Sequence, residues 1–110
     1  MTEGVMTLEI NRAGWIQGPS DAPILNELAN LRDEDGDSFA ILGATDTTYI
    51  QVAGAQRAGF DLEYQDGSVD AHFKATDQNI TLDRVVEAFI AFRDGNVAWR
   101  SGFAFENIAL

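Results

Sequence analysis

An α+β fold is what this sequence predicts: a mostly antiparallel sheet of about five to six strands with two helices packed on one face. Three observations carry that expectation. Several short stretches alternate apolar and polar residues, two longer ones repeat apolar residues at helical spacing, and 110 residues suffice for one core but hardly for two. Apolar side chains make up 45% of the chain, enough to offset the entropy of ordering the backbone, so residues 1–110 are read as a single domain.

The elements follow in order. Met6, Leu8 and Ile10 alternate with Thr7, Glu9 and Asn11, which predicts a strand near residues 5–12 with one wet face. After Gly18-Pro19, Ser20 is placed to cap a helix, Asp21 suits the positive end of its dipole, and Pro23 falls where a missing N–H costs little. Ile24, Leu25, Leu28 and Leu31 then share a face until the polar run at 33–37. The apolar runs 39–42 and 49–53 predict a hairpin across the polar connection 45–48.

Phe60, Leu62 and Tyr64 alternate with acids, as do Val69, Ala71 and Phe73 with Asp70, His72 and Lys74. Asp66-Gly67 between them favours a two-residue type I′ turn, which pairs Tyr64 with Val69, Leu62 with Ala71 and Phe60 with Phe73. On the wet side Glu63 then faces Asp70 and Asp61 faces His72. A second helix begins at Thr81, with Ile80 stapled onto Val85 and Leu82, Val85, Val86, Phe89 and Phe92 in one stripe, and ends at Asp94-Gly95. Even spacing of Val97, Trp99, Phe103 and Phe105 predicts a last strand kinked at Gly102, giving the order β-α-β-β-β-β-α-β.

Seven basic against 18 acidic side chains leave a net charge of −11. That field opposes binding to nucleic acid and to anionic membranes, and it attracts cations and basic proteins. The chain has no cysteine, which removes disulfides, zinc thiolates and cysteine nucleophiles. Its start lacks a secretory pattern and no run is apolar enough to span a bilayer, so the expected location is cytoplasmic.

Few residues suggest chemistry. The acidic run 33–37 has alternate carboxylates around Gly36, but a calcium loop begun at Asp33 needs Gly and Glu where Ser38 and Ala44 stand. His72 is the one histidine, so any acid or base near neutral pH converges on it with Asp61 across the hairpin; Ser68 and Ser101 lack a nucleophile elbow. The pattern calls for no cofactor and no metal. Asp61, Glu63, Asp70 and His72 are the candidate partner-binding residues, and Trp99, Phe103 and Phe105 the candidate contacts of a homodimer.

Residues 49–54, 59–64 and 82–89, together with Trp99, resemble small bacterial α+β domains, some similar to predicted immunity proteins of polymorphic-toxin systems. The resemblance covers roughly the C-terminal two thirds and rests on strand and helix patterns. It implies a noncatalytic acidic surface that blocks a cationic toxin. A small-molecule binder or hydrolase centred on His72 and Asp61, and a structural homo-oligomer with no other role, are the alternative expectations.

Overall fold

A computed structural model describes residues 6–10, 14–31, 39–55 and 59–108. Among these residues seven strands form one antiparallel sheet: β1 (Thr7–Ile10), β2 (Gly14–Gln17), β3 (Phe39–Gly43), β4 (Thr48–Ala55), β5 (Gly59–Asp66), β6 (His72–Ala75) and β7 (Phe105–Asn107). Their spatial order is β2-β1-β3-β4-β5-β6-β7. Helix α1 (Asp21–Ala29) joins β2 to β3, and α2 (Leu82–Arg93) with a 3₁₀ turn (Ala98–Gly102) joins β6 to β7.

Alternation decides which face is dry. Leu8, Ile10, Ala40, Leu42, Ile50, Val52, Phe60, Leu62 and Tyr64 point one way and are buried with Ile24 and Leu28 of α1 and Val85, Ala88, Phe89 and Phe92 of α2. The fold class expected from the sequence is the one observed, and both helices cover the same face. Among the described residues no helix lies on the other face.

Several expected details are corrected. The sheet has seven strands rather than five or six because Gly14–Gln17 forms an edge strand against β1. Its alternation is only four residues long and its Trp15 faces outward, so it leaves little periodic signal. Ser20 occupies the N-cap of α1, but its side chain makes no capping bond. The helix ends at Ala29, and Leu25 lies 44% exposed beside the stripe formed by Ile24, Leu28 and Leu31. The acidic run 33–37 lies outside the described residues.

The β5–β6 hairpin is longer-looped than Asp66-Gly67 suggests. Its pairs are Glu63 with Lys74, Tyr64 with Phe73 and Gln65 with His72, so neither the Glu63–Asp70 nor the Asp61–His72 pairing forms. Two local contacts and one from a distant residue explain the shift. Ala71 N–H donates to the Ser68 carbonyl and Asp70 N–H to Ser68 Oγ, which closes a turn further along; Gly67 N–H meanwhile donates to the Thr47 carbonyl. Val69, expected in the core, is 71% exposed in this loop. The slip is four residues, an even number, so every strand side chain keeps its face.

Helix α2 matches its sequence signals. Thr81 Oγ1 accepts from Arg84 N–H, Ile80 and Val85 are both buried, and Gly95 N–H and Asn96 N–H donate to the carbonyls of Phe92 and Ala91 in a Schellman ending. Beyond it the expected strand over 97–105 is replaced. Asn96 Oδ1 accepts from Ala98 N–H and Ser101 Oγ donates to the Ala98 carbonyl, so the backbone turns as a 3₁₀ helix and only Phe105–Asn107 pairs with β6.

Candidate functional site

The helix-free face of the sheet runs from Trp15 on β2 to Glu106 on β7. Two joined depressions cross it. One, of about 190 Å³, is lined by Phe39, Ile41, Gln51, Ala53, Asp61 and Glu63. Its neighbour, of about 380 Å³, shares Ile41 and Gln51 and is walled by Trp15 and Tyr49, with Glu9 and Asp46 at its margin. Together they make a groove with an apolar floor and carboxylate rims.

A hydrogen-bonded network borders the groove. His72 Nε2 lies 2.7 Å from Glu63 Oε1, and Nδ1 lies 3.0 Å from Gln65 Oε1. Gln65 Nε2 donates to the Thr47 carbonyl at 3.1 Å, which turns the amide oxygen towards the ring and towards the Tyr49 hydroxyl at 3.3 Å. Gln51 Nε2 donates to Glu63 Oε1 at 3.2 Å. Both imidazole nitrogens thus face acceptors, and a doubly protonated ring satisfies both while a neutral one satisfies a single acceptor. Tyr49 is pushed above the ordinary phenol value, first by burial and then by the nearby charge of Glu63.

The residues singled out from the sequence separate into three places. Asp61 is exposed on β5 at the mouth of the smaller depression, while Glu63 and His72 are inside the network, their side chains 23% and 17% exposed. Asp70 stands apart in the 67–71 loop, and Asp61 is not brought to His72. Ser68 and Ser101 are engaged in their own turns.

Trp99, Phe103 and Phe105 are half-buried, and Phe105 stands on β7, an outermost strand of the described sheet. Trp99 and Phe105 meet the Tyr64 ring edge-on at 5.3 and 4.8 Å, Phe73 stacks on it at 5.0 Å, and Arg100 lies over it at 4.4 Å. Burial raises the Tyr64 phenol, against the opposing pull of Arg100.

Among the described residues, the arginines of the helical side are engaged within the molecule. Arg93 bridges Asp21 at 2.6 Å and Asp94 at 2.9 Å, Arg100 approaches Asp66 at 3.3 Å, and Arg84 covers Phe103 while reaching Asp77 and the Gly102 carbonyl. Among the described residues Lys74 is the only lysine or arginine on the open face, and it stands opposite Glu63 and Glu106. Glu9, Asp46 and Asp61 keep the negative sign of the groove.

Sequence reasoning missed Trp15, Glu9, Asp46, Tyr49, Gln51 and Gln65 as members of one surface. Trp15 between two polar stretches was the available signal. Among the described residues no three histidine or acidic side chains converge as a metal site, and no helix is long and apolar enough to cross a membrane. Comparison with protein-family models, curated protein sequences and solved structures finds no match.

Proposed function

We propose that this chain is a noncatalytic protein-binding module that receives a basic partner on the open face of its sheet. The observation that carries the reading is the groove itself, an apolar floor edged by Glu9, Asp46, Asp61 and Glu63. Lysine and arginine side chains match such a surface, because their aliphatic stems lie on apolar floor while their heads meet carboxylates. An immunity-type role, with a cationic toxin as the partner, is a special case of this reading. Asp61 stays in the contact surface, Glu63 supports it from within the network, and Asp70 falls outside it.

His72 also favours binding over catalysis. Its ring is held within the network by Glu63 and Gln65, 2.7 and 3.0 Å away, and Asp61, the partner a catalytic pair would need, is not brought to it.

Selection of displayed random peptides against the folded protein tests the reading. The expected result is enrichment of lysine- and arginine-containing sequences whose binding perturbs amides of β1, β3, β4 and β5. Changing Asp46 and Asp61 to lysine together should slow their association by about tenfold at low salt and flatten its salt dependence. Enrichment of neutral sequences, or binders that perturb the helical side alone, would overturn it. A flanking reading frame that encodes a basic toxin is the corresponding genomic observation.

A further inference from the structure

The larger depression narrows the partner's chemistry, granted the open-face reading above. Trp15 is 69% exposed although it stands on a sheet strand in register with Glu9. Leaving that much aromatic surface in water is unfavourable, and its neighbours supply a reason. Tyr49 provides a second aromatic wall, Ile41 and the stem of Gln51 a floor, and Glu9 and Asp46 two carboxylates, all around one space of about 380 Å³. That size lies within the range of roughly 300–1,000 Å³ typical of ligand pockets. No cationic side chain among the described residues lines it.

We propose that this depression is the receptor for one arginine side chain of the partner. A guanidinium is planar and weakly hydrated, so it stacks on aromatic surface, and its forked donors suit carboxylates. An ammonium matches the charge but not the plane, and holds its water more tightly. The arginine anchors the contact, while Asp61, in the adjoining depression, meets a second cation further along the same segment. Charge complementarity selects the arginine-bearing segment over a second copy of this chain, whose own net charge is −11.

The test uses the folded 110-residue chain, labelled for heteronuclear NMR, titrated with N-acetyl-arginine methylamide and with its lysine and citrulline counterparts. Arginine should give saturable shifts at the Trp15 indole and at the amides of Glu9 and Asp46. Lysine should bind at least threefold more weakly, and neutral citrulline should leave these signals unmoved. Trp15→Ala and Asp46→Asn should each weaken the arginine response by roughly three- to tenfold. Both positions are exposed, and unchanged dispersion of the core methyl signals will verify that the variants fold.

Equal responses to arginine and citrulline, an arginine response unaltered in both variants, or no saturable shift at Trp15 would overturn the arginine receptor. Such a result leaves the wider reading to the peptide selection, where basic binders mapped to the Asp61 end would still sustain it. Loss of basic enrichment there removes the wider reading instead, so the two failures are distinguishable.

Discussion

Gln65 is the buried polar residue of the described core, and each end of its amide is used: nitrogen to the Thr47 carbonyl, oxygen to Tyr49 and His72. Truncation strands several groups at once. Gln65→Ala should cost about 2 kcal/mol in urea unfolding, and His72→Ala about 1 kcal/mol, since its partners are nearer to water. Losses below the measurement error in both would mean that the network adds nothing to stability.

Tyr49 and Tyr64 both have phenols raised by burial. Below the unfolded value near pH 10, neither state ionises and their contribution is intact; as pH climbs beyond it, the unfolded chain ionises first and stability falls until the folded phenols follow. Urea midpoints between about pH 9 and pH 11.5 should therefore drop less steeply in the Tyr49→Phe/Tyr64→Phe double variant. Parallel curves would refute the assignment. None of this was legible in the sequence, where Gln65 reads only as a turn-closing residue; its importance comes from Thr47, eighteen positions away.

At the scale of elements, the β4–β5 hairpin depends on Gly54. Its φ is +105°, and a Cβ there would stand 2.5 Å from the Gly59 carbonyl oxygen, so Gly54→Ala should cost about 3 kcal/mol or more by thermal unfolding. The helices are joined by Arg93, whose guanidinium sits above its ordinary basicity through hydrogen bonds to Asp94 and Asp21. Arg93→Ala should lower stability by about 1 kcal/mol, less at high salt, because Asp21 is largely in water.

Elements with strong local chemistry were readable: α2 through Thr81 and Gly95, β1 and β5 through alternation, and β3 and β4 as short apolar runs. The errors arose where local and distant contacts compete. Asp66-Gly67 reads as a tight turn, yet Thr47 captures Gly67 and Ser68 closes a later one. Likewise the even spacing of Trp99, Phe103 and Phe105 imitates a strand, while Asn96 and Ser101 bend the backbone under it. Because the hairpin slip is even, the separation of apolar and acidic faces was predictable without the correct register.

For the molecule as a whole, the sign of the surface was legible from composition and the groove was not. Its walls come from β1, β2, β3, β4 and the 44–47 turn, and no local window contains them together. With a net charge of −11, self-repulsion opposes the compact state. Raising sodium chloride from about 10 to about 300 mM should raise the thermal midpoint by a few degrees, and a fall would show that the internal ion pairs outweigh the repulsion.

The strand order has a bearing on synthesis. Each strand after the first lies beside one made earlier, β3 on β1 and every later strand on its immediate predecessor. A chain leaving the ribosome thus never waits for a partner still to be translated, and it grows its sheet outward from one margin. Among the described strands β7 completes the other margin, when Trp99 and Phe105 close over Tyr64. A nascent chain halted at Asn96 would expose that ring and the bare rim of β6, the surfaces through which a half-made copy would adhere to its neighbours on a polysome.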